Sequence, residues 1–189
     1  MIMSPGVRRF ALTAHVTISV GWLGAVAGFL VLALSGLTNH DAQTVRAVYL
    51  ALELLGRCLI VPLSFGSLLS GVIQGLGTPW GLLRHYWVLI KLLMTPLATL
   101  VLLVHMQPIQ HVANVARHTL LSHADLSEMR LQIVVDAAAG ALVLLVATAL
   151  SVYKPRGLTA YGRRRSVRDA AAHLIEARAA AQFCVEPRA

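Results

Sequence analysis

The stretch RHYWVLIKLLMTPLATLVLLVHM, residues 84–106, determines how we interpret the rest of the chain. It begins with basic and aromatic residues and continues through mostly apolar ones. At 1.5 Å per residue, a helix of this length covers a hydrocarbon core of about 30 Å. Arginine, tyrosine and tryptophan at one end are typical of a membrane interface. The stretch therefore predicts a transmembrane helix, in which Lys91 is an unusual charge.

The whole chain is too apolar for an ordinary soluble domain. Its 189 residues are 57% hydrophobic and 13% charged, and its mean hydropathy is +0.72. Three further apolar stretches are long enough to cross a membrane. We therefore predict an all-α, polytopic membrane protein, a four-transmembrane-helix bundle. Its membrane domain covers residues 10–153, with spans at approximately 11–37, 47–74, 84–106 and 131–153.

Basic residues are concentrated at the two ends of the chain. A leader of residues 1–9 carries Arg8 and Arg9, and a tail of residues 154–189 carries six basic residues between Lys154 and Arg168. The positive-inside rule then predicts a plasma-membrane protein with both termini in the cytoplasm, although Arg46, Arg117 and Arg130 lie in the predicted outer loops. We expect the tail to contact anionic lipids of the bilayer. Another membrane protein or a second copy is a further candidate partner, whereas nucleic acid is not.

Local signals predict details of the first two helices. Thr38 is expected to cap the second helix, with Asp41 at its third position, because this pairing forms a capping box. That helix is longer than one bilayer thickness, so either it projects outward by two or three turns, or Pro62 kinks it and Gly66 loosens it. On the first helix, small residues are expected to allow close packing of a neighbouring helix. These small residues are Gly21, Gly24 and Gly28.

Similar signals predict the ends of the later helices. Pro108 is expected to end the third helix, and a short amphipathic segment is expected over residues 109–121. Ser122, with Asp125, is expected to cap the last helix. A short helix rich in alanine is predicted in the tail, over residues 166–183.

Charged and polar residues inside the spans are candidates for function. Glu53 and Arg57 are four residues apart and share a helical face, so we predict a buried polar network of these two residues with Asp136. His15 and Lys91 form a predicted inner polar pair. Such groups either fix the register of the helices through ion pairs or form a proton relay or a ligand pocket. Lys91 is also placed to reach the cytoplasmic interface with its long chain.

Histidines suggest a metal or haem site as an alternative. A haem held by His15 and His105 is disfavoured, because the two lie about 20 Å apart along the bundle. A copper site is the second candidate, since imidazole and thioether groups both bind copper, although solvated loop histidines are the simpler interpretation. Its candidate ligands are His105, Met106, His111, His118 and His123. We predict no bound cofactor, with copper and haem as alternatives.

The motifs of common enzymes are missing from the sequence. It contains no nucleophile elbow, phosphate-binding loop, zinc-protease motif or dinucleotide fingerprint, so a conventional enzyme is not expected. We therefore predict a structural or accessory membrane protein with a polar layer between its helices. The alternative is a copper-handling permease, or a redox or cofactor-binding component of the membrane.

Four short motifs carry a resemblance to known families. They are LTAH at 12–15, GWLG at 21–24, HYWVLIK at 85–91 and SVYKPRG at 151–157. Over residues 5–165 the chain resembles a group of uncharacterised four-helix integral membrane proteins of actinobacteria, which implies a four-span fold. The histidine before Trp-Leu-Gly on the first helix and the tyrosine before Lys91 on the third are similar to the membrane domain of copper-resistance D proteins. That similarity implies copper handling, with His15 and Lys91 as the matching positions.

Overall fold

The computed structural model describes residues 3–77, 86–118 and 126–153, together with isolated positions between 157 and 176. These residues form five α-helices and a π-helical segment, and no strand occurs among them. The helices are α1 (Pro5–Thr38), α2 (Ala42–Leu55), α3 (Val61–Gly77), α4 (Tyr86–His118) and α5 (Ser127–Tyr153). The π-helical segment, Gly56–Ile60, joins α2 to α3 without a break. The predicted all-α class is confirmed.

Four helical units in the described part are long and apolar enough to cross a membrane. They are α1, the continuous unit Ala42–Gly77, α4 and α5. Large apolar side chains such as Leu69, Leu97 and Leu142 are exposed on the outside of the bundle, as expected where the surroundings are lipid. The prediction of four spanning helices is thus confirmed, and the chain is a multi-pass membrane protein.

The four units alternate in direction and pack as a square bundle. Both α1 and α4 pack against the unit Ala42–Gly77 and against α5, so α1 and α4 occupy opposite corners. We call the end that holds Pro5, Gly77, Tyr86 and Tyr153 the terminal end, and the other the opposite end. The most deeply buried apolar side chains lie toward the opposite end: Ala33, Val45, Tyr49, Leu52, Val112, Ala113 and Ala116.

That dense packing explains why α4 is longer than predicted. The expectation that Pro108 ends the third helix is wrong, because α4 continues through Pro96 and Pro108 to His118. A proline removes a helical hydrogen bond, but Ile109, Val112 and Ala116 are buried after it, and α4 packs against α2. Most of the separate amphipathic segment predicted over residues 109–121 is therefore the last part of α4, and residues 119–121 lie outside the described residues.

The cap of α2 also differs from the prediction. Asp41, not Thr38, caps this helix, because its carboxylate accepts hydrogen bonds from the Thr44 amide at 2.9 Å and the Thr44 hydroxyl at 2.5 Å. These bonds hold the pKa of Asp41 below its ordinary value. Thr38 belongs to α1, where its hydroxyl donates to the Leu34 carbonyl at 2.9 Å.

The irregular part of the second span lies just before Pro62. In the π-helical segment the Val61 amide donates to the Gly56 carbonyl, five residues back. At Gly56 the neighbouring α4 approaches closely: a Cβ atom there would lie 2.9 Å from the Met106 sulfur. The segment turns Arg57 outward, where it is exposed.

The remaining predictions concern the glycines of α1, the cap of the last span and the tail helix. Gly24 and Gly28 are exposed, and a Cβ atom on either would meet nothing within 4 Å, so they do not pack against another of the described helices. Gly21 faces Leu63 at the outer limit of contact, 4.0 Å. The predicted cap at Ser122 lies outside the described residues, as does most of the predicted tail helix.

Candidate functional site

A cavity of about 290 Å³ lies between α1, the π-helical segment, α4 and α5. Its volume is near the lower limit of ligand pockets, which hold about 300–1,000 Å³. Most of the wall is apolar and includes Val26, Phe29, Ile60, Leu102, Ile133 and Leu144. Three residues of the wall carry polar side-chain atoms: Trp22, His105 and Asp136.

The cavity opens sideways, toward the lipid. Leu97 and Val101 of α4 line it and are also exposed, as is Ala139 of α5. These residues lie on the outer surface of the bundle, between α4 and α5. The cavity wall therefore extends to the outer surface of the bundle.

Trp22 is the unsatisfied polar group of this wall. Its side chain is 4% exposed, and its indole N–H has no hydrogen-bond partner among the described residues. Leaving a buried donor unpaired costs about 1–3 kcal/mol. Tryptophan usually lies at membrane interfaces, whereas Trp22 lies near the middle of α1. The position of Trp22 in the middle of an apolar helix was the sequence signal for this residue. In the sequence we named it only as part of the GWLG motif.

His105 and Asp136 face each other in the cavity wall. The His105 Nε2 atom lies 3.2 Å from the Asp136 Oδ2 atom, and each side chain is 28% exposed. The other ring nitrogen, Nδ1, lies 2.7 Å from the Val101 carbonyl oxygen within α4. A carbonyl oxygen only accepts, so Nδ1 carries a proton and donates it.

The predicted network of Glu53, Arg57 and Asp136 is not brought together. Glu53 is buried and accepts a hydrogen bond from Arg117, near the end of α4. Asp136 instead contacts His105. The reason is that α4 continues past Pro108 and carries Arg117 to Glu53, while the π-helical segment leaves Arg57 exposed.

The predicted inner pair is divided between two helix contacts. The His15 ring and the Ser70 hydroxyl share a hydrogen bond of 2.9 Å between α1 and α3. Beside it, the Ser19 and Ser67 hydroxyls form a second bond of 2.9 Å. Lys91 donates to the Ser151 hydroxyl at 2.5 Å and so joins α4 to α5. Both residues therefore connect neighbouring helices and do not bond to each other.

The candidate metal ligands do not converge in the described structure. His105 faces Asp136, whereas Met106 is buried against Gly56. His111 and His118 are exposed, and His123 lies outside the described residues. Within residues 3–77, 86–118 and 126–153, no three His, Cys, Asp or Glu side chains are close enough together to hold a metal ion.

Arg130 is a buried residue that the sequence analysis assigned to an outer loop. It is fully buried, its Nε donates to the Tyr49 hydroxyl at 3.1 Å, and its Nη2 donates to the Gly36 carbonyl. Its guanidinium carbon lies 5.4 Å from the centre of the Tyr49 ring. Arg130 shares a helical face with the buried Ile133, three residues on, and that spacing was the available signal.

Comparisons with known proteins give no match to a protein family, a curated protein or a solved structure. The two resemblances given above therefore stay predictions.

Proposed function

We propose that this protein binds a small, largely apolar molecule that enters its cavity from the bilayer and accepts a hydrogen bond from Trp22. The observation that carries this proposal is that Trp22 lines the cavity and that its buried N–H has no acceptor among the described residues. An acceptor on the bound molecule removes the cost of leaving that donor unpaired.

The alternative occupant is an acyl chain of the surrounding lipid. Such a chain fills apolar volume equally well, but it carries no hydrogen-bond acceptor. It therefore leaves the Trp22 donor unsatisfied. In a structural or accessory protein, which is the second candidate, the cavity holds lipid and does not distinguish molecules by their acceptors.

Two probes of the same shape separate these cases. They are 2-acetylnaphthalene, which has a carbonyl acceptor, and 2-isopropenylnaphthalene, in which a methylene group replaces the oxygen. We expect the acetyl probe to bind the protein in nanodiscs about 2- to 12-fold more tightly, which corresponds to a net hydrogen bond of about 0.5–1.5 kcal/mol. Binding is measured relative to empty nanodiscs, to remove partitioning into lipid.

The control variant is Trp22→Phe, which keeps an aromatic side chain in the wall and removes the donor. In this variant we expect the two probes to bind equally. Equal binding of both probes to the unaltered protein contradicts the proposal, as does a preference for the acetyl probe that survives in Trp22→Phe.

We infer the orientation and location from the basic ends of the chain. Arg8 and Arg9 lie at the terminal end, and the tail beyond α5 carries the exposed Arg163 and Arg164. These charges support cytoplasmic termini, a plasma-membrane location and contact with anionic lipids. His105 and Asp136 then lie in the outer half of the bundle. Labelling a cysteine at residue 118 from the outside is the expected result, and labelling only from the inside contradicts this orientation.

A further inference from the structure

The contact between His105 and Asp136 requires a proton between its two facing atoms. Because Nδ1 of His105 donates to the Val101 carbonyl at 2.7 Å, the contact of 3.2 Å between Nε2 and the Asp136 carboxyl needs one more proton. That proton lies either on the histidine, which gives an ion pair, or on the acid, which gives a neutral pair. In both cases the two side chains together have no net charge.

No other titratable group lines the described cavity wall. The residues of α1 that line it are Trp22, Val26 and Phe29, and the π-helical segment contributes Gly56 and Ile60. From α4 and α5, His105 and Asp136 are the titratable lining residues.

The charged residues that lie close in sequence to the lining residues do not themselves line the cavity. Glu53 of α2 accepts a hydrogen bond from Arg117, and Arg57 of the π-helical segment is exposed. On α5, Arg130 is bound to Tyr49 and Gly36. The charge of the cavity wall is therefore set by the proton that His105 and Asp136 share.

Loss of that proton leaves one negative charge in an apolar wall, which is unfavourable unless a positive charge replaces it. We propose that the cavity takes apolar molecules carrying a protonated amine, and that the shared proton of His105 and Asp136 leaves to water when the amine binds. The amine keeps its own proton throughout, so one positive charge enters and one leaves. The aromatic rings of Trp22 and Phe29 in the wall add a surface that attracts cations.

This inference rests on the proposed function and narrows its ligand class. Its test uses 2-acetyl-6-(2-aminoethyl)naphthalene, and 2-acetyl-6-propylnaphthalene as a neutral probe of the same shape, so that both probes keep a carbonyl acceptor for Trp22. Binding of both to the full chain in nanodiscs is measured between pH 5 and pH 8, where the amine stays protonated. As long as the pair carries this proton before binding, we expect amine affinity to rise with increasing pH, by up to tenfold per pH unit, because binding releases one proton. The neutral probe is expected to bind independently of pH.

Calorimetry in buffers of different ionisation enthalpy is expected to show the release of about one proton per bound amine. The variant Asp136→Asn is expected to lose the pH dependence and the preference for the amine, and still to bind the neutral probe. Glu128→Gln, an exposed acid on the same helix, is the matched control and is expected to behave as the unaltered protein.

The outcomes separate this inference from the proposed function. If both probes bind the unaltered protein with the same affinity at every pH, the amine inference is wrong and the apolar site stands. Amine binding that releases no proton overturns the inference in the same way. If neither probe binds at any pH, the proposed function fails as well.

Discussion

Replacing Arg130 with methionine is expected to lower the free energy of unfolding by about 3 kcal/mol, because each buried acceptor left without a donor costs about 1–3 kcal/mol. The guanidinium group is fully buried, and it donates to the Tyr49 hydroxyl and to the Gly36 carbonyl near the end of α1. Methionine keeps much of the apolar volume but leaves both acceptors without this donor. The measurement is thermal or chemical unfolding of the purified protein in detergent.

Two matched variants test whether the loss of stability is specific to Arg130. Arg57→Met removes an exposed arginine and is expected to change the free energy of unfolding by less than about 0.5 kcal/mol. Arg130→Lys keeps the charge but lacks the planar group that reaches two acceptors, so it is expected to restore only part of the loss. Equal losses in Arg130→Met and Arg57→Met contradict the structural role of Arg130.

Removing Arg117 is expected to have the second largest effect. The Glu53 side chain is 10% exposed and the Arg117 side chain is 45% exposed. Arg117→Met therefore leaves a buried carboxylate without its cation. Fully buried pairs lose about 3–5 kcal/mol when broken in this way, and the exposure of Arg117 reduces our expectation to about 2 kcal/mol. Unfolding in detergent measures the loss.

The double variant Glu53→Gln with Arg117→Met is expected to recover most of that stability, because no uncompensated charge remains. If the double variant is no more stable than Arg117→Met alone, the ion pair is not the source of the loss. In the network predicted from sequence, Arg57 was the cation for Glu53. A large loss in Arg57→Met with none in Arg117→Met would favour that earlier pairing.

The sequence predicted the four helices well, because length and apolarity alone determine which segments can cross a membrane. It did not predict the partner of Glu53. That pairing depends on α4 continuing through Pro108, and the burial of Val112 and Ala116 against another helix outweighs the local effect of a proline. Local signals do not contain that information.

The candidate site was predicted in part. The sequence analysis selected His105 and Asp136 as polar residues within or near spans, but it placed them in different sites. Their contact depends on the relative rotation of α4 and α5, which no local pattern reports. The mid-helix position of Trp22 was a signal in the sequence, but the absence of a partner for its N–H depends on how the helices pack.

The most direct test of the account is to fill the cavity and measure binding of 2-acetylnaphthalene. Gly140 lines the cavity, and a Cβ atom there meets nothing within 4 Å, so Gly140→Leu places its side chain in free space. Gly24→Leu is the matched control, because Gly24 is equally uncrowded but does not line the cavity. Both changes replace a helical glycine and gain about the same helix propensity, roughly 1 kcal/mol.

We predict that Gly140→Leu weakens binding at least about tenfold, a loss of about 1.4 kcal/mol, while Gly24→Leu binds as the unaltered protein does. Unchanged binding in Gly140→Leu would contradict the central claim that this cavity is the ligand site.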